Sequence, residues 1–448
     1  MNPVKKKKVF LIQMKAESPL SLSSGKGEET DSDVMRNYEG VPFVPATSLA
    51  GAMRAYLNKK KDESCMMGYS QNDGDGNDDG KMSDIFLSDM IFEEKPTVSV
   101  RDGVELNEKK TAVDKSKYDM EIVEAGICAS FYAEITIREL HGRNDESTEE
   151  SFDREAEYDE AFAAIIKGFH NGEIRLGGKK TRGYGKFSVC HVACKEFDKS
   201  NYLEYAHVYS GEKAWETEKN ELDKWLKLSK KESQYLTLEV PLRLKGGISI
   251  RQYASRKGEP DFVQLVNKNE NAVIPGSSFA GAIRHRIEMI LTGLVQKGLD
   301  ICVSDVIHGM FGYVEKDEKK AHVSAVIINE SEIEGAKSLL ITRTGISRFE
   351  SSARDTSLFT EKTYVDGTLT LNILIKKDAQ DNYKQMLGLI LLAVEDMRNG
   401  FLAVGGATSV GRGILTANGE ILLDREKLGD VCEKIGEALR SLTGGMNE

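Results

Sequence analysis

Two stretches of the chain recur in the same order. FVPATSLAGAMR, Phe43 to Arg54, returns as VIPGSSFAGAIR, Val273 to Arg284, and LGGKKTRGYGK, Leu176 to Lys186, returns as VGGATSVGRGI, Val404 to Ile414. Pro45 precedes Gly177 by 132 residues and Pro275 precedes Gly405 by 130, so the spacing is kept along with the order. A tandem duplication of one module explains this, and it constrains the fold more than any single segment does. Asp31 lies 14 residues before Pro45 and Asp261 lies 14 before Pro275, so one acidic residue per copy recurs in register.

At 448 residues the chain has room for two or three domains, and the duplication favours two. The expected division is 1–205 and 234–448, joined by a charged linker helix over 206–233. That linker is dense in Lys and Glu with Trp215, Leu222, Trp225, Leu226 and Leu228, which reads as an exposed helix docking one edge. There is no apolar run of about 18 residues, and Lys5 to Lys8 precede only a short apolar stretch, Val9 to Met14, without a cleavage pattern. The expectation is a soluble, cytoplasmic protein with no membrane partner. Six scattered cysteines form no disulfide framework, and Cys190, His191 and Cys194 sit in a strand-like segment rather than in a zinc pattern.

The net charge of -11 argues against a chain coated in nucleic acid. Locally, Lys179, Lys180, Arg182 and Lys186 crowd the first glycine-rich stretch, and Arg243, Lys245, Arg251, Arg256 and Lys257 precede Asp261. These read either as solvated loops or as basic stripes that hold a phosphate backbone.

Each copy opens with a strand: Val9 to Met14 in the first, and the strict alternation of Leu236, Leu238, Val240, Leu242 and Leu244 in the second. After the proline comes a helix with Leu49, Ala52, Met53 and Tyr56, or Phe279, Ile283 and Ile287, on one face. Thr47 or Ser48, and Ser277 or Ser278, are its expected caps. Further strands fall at Ile85 to Phe92 and Val323 to Ile328, then at Phe131 to Ile137 and Leu369 to Ile375. A second helix, Phe152 to Phe169 or Tyr383 to Met397, leads into the glycine stretch and a last strand. The order strand, helix, strand, strand, helix, strand implies an α+β chain of two tandem ferredoxin-like (RRM-like) modules. Insertions decorate it, among them the loop Asn72 to Gly80, which mimics a calcium loop but lacks its glycine.

Gly177, Gly178, Gly183 and Gly185, with Gly405, Gly406, Gly411, Arg412 and Gly413, let backbone N–H groups approach a phosphate; they also suit an ordinary helix-to-strand turn. Ser48, Ser277 and Ser278 put hydroxyls at helix starts, with Arg54 and Arg284 nearly two turns on, an anion site or a tight packing contact.

IPGSSFAGAIR, GGKKTRGYG and the Asp31-Ser32-Asp33-Val34-Met35-Arg36 segment together resemble the RAMP superfamily, specifically the backbone subunits of type III CRISPR effector complexes in a fused-repeat, type III-D-like form. Asp261 to Leu265 is a looser match, and Ala46 replaces the usual glycine. The resemblance implies that glycine loops and Ser/Arg helices track a guide RNA, and that other effector subunits are partners. It also implies that thumb hairpins near Val98 to Glu124 and Thr342 to Asp366 interrupt a duplex with target single-stranded RNA; within them Val98 to Lys117 and Arg343 to Lys362 are too polar to build a core. By the same resemblance Asp31 and Asp261, with Asp33 competing, hold Mg2+ or Mn2+ and cleave that target, while the alternative is a scaffold that only holds the guide.

Overall fold

The computed structural model describes residues 3–25, 27, 30–57, 66–72, 78–105, 107, 111–139, 154–209, 215–252, 260–315, 320–355, 357–378 and 382–442. Arg256, Lys257 and the middle of the 72–80 loop lie outside the described residues. The chain divides into two compact units: Met1–Ser99, Glu121–Gly178 and Gly185–Ser233 in one, and Val100–Met120, Lys179–Tyr184 and Gln234–Glu448 in the other.

The first unit is built from β1 (Val4–Ala16), α1 (Ala46–Leu57), β2 (Ile85–Leu87), β3 (Met90–Phe92), β4 (Val98–Gly103), β5 (Tyr118–Val123), β6 (Cys128–Arg138), α2 (Arg154–His170), β7 (Phe187–Phe197) and α3 (Leu222–Leu228). β4 and β5 form a hairpin whose outer residues, 100–120, cluster with the second unit. The sheet runs β7–β1–β6–β2 and every pairing is antiparallel. β2 and β3 are one strand in the sequence pattern; Ser88 and Asp89 interrupt it, and Ser88 bonds the backbone of Tyr132 instead of continuing the ladder. Alternation sets the core: Ala129, Phe131, Ala133, Ile135 and Ile137 of β6 face Phe10, Ile12 and Met14 of β1 and the buried stripe Leu49, Met53 and Tyr56 of α1. α2 closes that core with Tyr158, Phe162, Ile165 and Phe169, and its Glu155 and Lys167 sit at the ends the helix dipole favours.

The run Lys5 to Lys8 is drawn into β1. Lys8 is 3 % exposed and bonds Asp159 at 2.6 Å, and Lys7 bonds Glu134 at 2.6 Å. The linker also departs from the expected exposed helix. Among the described residues of that stretch only α3 is an α-helix, and Trp225 packs on Phe10 and Phe162 in the core, while Trp215 covers the other sheet face with Val9, Ala193 and Phe197. Two large rings found burial on opposite sides of one sheet, which a single docked helix could not give them.

The second unit repeats the plan with β8 (Tyr235–Lys245), β9 (Phe262–Gln264), α4 (Gly276–Gln296), α5 (Val303–Phe311), β10 (Val326–Ile328), β11 (Lys337–Arg343), β12 (Phe359–Val365), β13 (Thr368–Lys376), α6 (Asn382–Arg398), β14 (Ile414–Ala417) and α7 (Val431–Leu442). Its sheet runs β14–β8–β13–β10, again antiparallel. α7 lies on α6, where a side chain at Gly388 would stand 2.2 Å from the methyl of Ala438. No helix among the described residues is long and apolar enough to cross a membrane.

Candidate nucleic-acid interface

The two glycine loops share one backbone path. Leu176 N–H donates to Gly185 O and Val404 N–H to Gly413 O; Gly178 N–H donates to Ser21 O and Gly406 N–H to Ser249 O. Lys179 and Ala407 are left-handed at φ 51° and 54°, and Gly183 and Gly411 at 93° and 83°. A Cβ at Gly185 or Gly413 would stand 1.8 Å from the Leu176 or Val404 carbonyl oxygen, which is why those positions are glycine. The N–H groups of Gly178, Gly183, Gly185, Gly406, Gly411 and Gly413 all donate to carbonyls within the chain. Backbone amides at these glycines are therefore spent on the turn itself, and what the loops offer an anion is their side chains.

Those side chains differ between copies. In the first loop, Lys179 Nζ lies 3.9 Å from the Tyr118 ring centroid and 2.9 Å from Met120 Sδ. Burial pushes its ammonium below the usual lysine range, and Arg182 adds repulsion. Lys180 reaches solvent, yet the protein around it also lowers its pKa. Arg182 is exposed, and no ion pair reaches these three cations among the described residues. In the second loop the cation is matched: Arg412 lies 3.5 Å from Glu361, which also takes Arg343 at 3.6 Å.

The helix starts correct the expected caps. Pro275 is the N-cap of α4, with no side-chain cap, and Ser278 N–H donates to Pro275 O at 3.0 Å. Ser277 and Ser278 fall within the first turn, and Thr47 and Ser48 lie at the matching places in α1, so the hydroxyls do not cap. Asp89 accepts the Ala46 N–H at 2.8 Å and so brings an acid to the N-terminus of α1. Arg54 donates to the Met67 carbonyl at 2.8 Å, fastening the turn after its own helix, whereas Arg284 is exposed.

The aspartate loops occupy equivalent places: Met35 N–H donates to Leu22 O as Leu265 N–H donates to Ile250 O, which aligns Asp31 with Asp261. Asp31 is exposed. Asp33 turns inward to accept the Thr30 hydroxyl at 2.6 Å. This loop is clamped to β5, where Glu121 takes both nitrogens of Arg36 at 2.8 and 2.9 Å and the Val34 N–H at 3.0 Å. The Arg36 guanidinium holds Glu121 below the usual carboxylate range. Asp261 instead accepts the Thr360 N–H at 2.7 Å, tying its loop to β12. Among the described residues no group of three or more His, Cys, Asp or Glu could share a metal ion. The described residues therefore make no all-protein cage for a cation at either loop.

The bases of both hairpins are buried, at Met120, Ile122 and Val123 in the first and at Thr363 and Tyr364 in the second, where Thr363 donates to Ile248 O. Pattern reading missed the pairs Arg36–Glu121 and Arg101–Glu330, whose partners lie 85 and 229 residues apart. No local spacing rule links such partners. Cys190 is the bulged residue of β7, opposite the register shift at Gln13 and Met14, and burial pushes Cys194 up to about 12.

No curated protein matches the chain. The profile of the RAMP superfamily matches residues 13–188 and again residues 235–416, one match on each repeat. With both repeats and most of the sequence covered, the chain belongs to the RAMP superfamily as two fused modules.

Proposed function

We propose that the chain is a guide-RNA-binding backbone subunit of a type III CRISPR interference complex, of the fused, type III-D-like kind, that cleaves target RNA by a loop aspartate with a divalent metal. The observation that carries this reading is the first glycine loop: three cations without an acidic partner among the described residues, one of them stacked on a tyrosine, with desolvation already weighing on two. Such a cluster gains from a phosphate backbone laid across it. The sheet orders β7–β1–β6–β2 and β14–β8–β13–β10, with both helices of each repeat following the same strands, support reading each module as ferredoxin-like.

Asp31 is the carboxylate best placed for chemistry. Its loop is clamped by the Arg36–Glu121 pair, and a target 2′-hydroxyl, losing its proton, would attack the adjacent phosphorus as the 5′-oxygen leaves and takes up a proton, giving a 2′,3′-cyclic phosphate and a 5′-hydroxyl. Asp31 would hold a Mg2+ or Mn2+ ion, which would supply charge stabilisation at the scissile phosphate. The scaffold reading is favoured for the second module alone, because Asp261 to Leu265 matches the family's segment more loosely than Asp31 to Arg36 does.

Guide retention tests the RNA assignment. Replacing Lys179, Lys180 and Arg182 together with Ala in the reconstituted complex should weaken guide binding and reduce the slope of log K against log salt by about 2, from roughly 0.7 per lost phosphate contact on a single strand. An unchanged slope would remove the first glycine loop from the RNA path.

A further inference from the structure

The turns Met67-Gly68-Tyr69 and Phe311-Gly312-Tyr313 recur in the two repeats and have no part in the proposed function. Gly68 and Gly312 are left-handed at φ 67° and 74°, and a Cβ there would stand 2.6 Å from Ser83 N or 2.8 Å from Ser324 N. Each turn sets its tyrosine at the start of a two-stranded hairpin, Tyr69–Asn72 with Asp78–Lys81 in the first unit and Tyr313–Glu315 with Lys320–His322 in the second. Tyr69 stands opposite Lys81, and Tyr313 opposite His322. The cross-strand partners then part ways. Lys81 donates to the Tyr158 hydroxyl at 2.8 Å and pairs with Asp84 at 2.9 Å, so its charge is spent inside the first unit.

In the second unit three rings line up across the hairpin. His308, in the last turn of α5, lies 4.5 Å from Tyr313 between ring centroids with the planes 20° apart, and Tyr313 lies 4.4 Å from His322 with the planes 4° apart. No ring contact joins the two imidazoles to each other, so they lie on opposite faces of Tyr313. The row therefore runs from the helix to the far edge of the hairpin. Among the described residues the strand Lys320–His322 pairs on one side only, and the His322 side chain at that edge is 50 % exposed. Glu315 lies alongside. It accepts the Tyr313 hydroxyl at 3.0 Å and stands 3.4 Å from His322 Nε2, and a carboxylate has capacity for further donors.

We infer that the outer face of His322 stacks an unpaired nucleobase of single-stranded RNA, which becomes the fourth ring of the row. Near-parallel planes are the arrangement in which bases themselves stack, whereas the core contacts of Trp225 with Phe10 and Phe162 are edge-to-face. Imidazole, like the larger aromatic rings, serves as a platform for an unstacked base. Glu315 offers an acceptor to an exocyclic amino group, so adenine, cytosine and guanine suit the edge better than uracil. The inference rests on the proposed RNA binding but uses none of the glycine-loop cations.

A short single-stranded RNA carrying 2-aminopurine in place of adenine, titrated with the full chain, tests it, because the fluorescence of 2-aminopurine is quenched when the base stacks. The parent chain should quench the probe. His322→Ala should abolish the quenching and weaken binding by at least about fivefold. His322→Phe keeps a flat ring at the edge and should retain both, which separates loss of the platform from damage to the hairpin. Lys179→Ala, Lys180→Ala and Arg182→Ala combined should weaken binding yet still quench at saturation. RNA bound without quenching, or quenching lost equally in His322→Phe, would overturn the inference and leave the proposed function standing. Quenching that survives His322→Ala would overturn it too, and self-association of the chain lost in that variant would assign the ring to a protein contact. A probe that does not bind would likewise overturn it, with guide retention in the reconstituted complex deciding the proposed function separately.

Discussion

Gly185 and Gly411 are both left-handed glycines of the same repeated loop, yet their surroundings differ. At Gly185, φ is 72° and a Cβ would meet the Leu176 carbonyl oxygen at 1.8 Å; at Gly411, φ is 83° and the space is open. Gly185→Ala must move backbone as well as adopt a strained conformation, and should lower stability by about 3 kcal/mol or more. Gly411→Ala bears only the left-handed penalty, about 1–2 kcal/mol. Urea melts of the two variants check the order, and equal losses would show that the close approach to Leu176 is not what makes Gly185 necessary. The same residues explain why a glycine pattern misled about amides: glycine was needed for the chain to approach itself, and that approach consumed the donors.

At the scale of elements, the segment after β7 is held by one carboxylate. Glu134 on β6 accepts from Tyr205 at 2.6 Å, Tyr209 at 2.7 Å and Lys7 at 2.6 Å, and Trp215 lies beside this cluster against Tyr132. Burial alone would push the Glu134 carboxyl up, but Lys7 and the two tyrosines outweigh it and hold it below the usual carboxylate range. A depressed folded value means the stabilisation is complete above the unfolded carboxylate pKa and is lost as pH falls through the lowered one, below about pH 4. In a Trp225→Phe background, Trp215 fluorescence should therefore report release of residues 202–209 in acid. Glu134→Gln should shift that release to neutral pH or cost about 1–3 kcal/mol. Fluorescence of the variant matching the parent from pH 3 to 7 would show that Glu134 does not hold the segment.

For the whole molecule, an acidic chain of net charge -11 sets three cations with no acidic partner among the described residues in one of two otherwise matching loops. On the proposed function, Asp31→Ala should abolish one cut in an end-labelled target, while Asp261→Ala should have a smaller effect, since Asp261 to Leu265 keeps the family's segment less closely than Asp31 to Arg36 does. Mapping the products of each single variant and of the pair checks this. A cut pattern unchanged with both aspartates replaced would favour the scaffold.

Duplication, the α+β element order and the buried alternation of β6 and β8 were all legible in the sequence, because each follows from local periodicity or from one stretch repeating another. Both glycine loops and both aspartates recur in register for the same reason. The tertiary structure alone decided what depends on distant partners. Arg36 meets Glu121 and Arg101 meets Glu330 through folding, the two tryptophans part to opposite sheet faces, and Asp89 rather than a serine serves the start of α1. Repetition reveals which positions are equivalent, but the charge and exposure at each depend on which neighbours the fold brings against it.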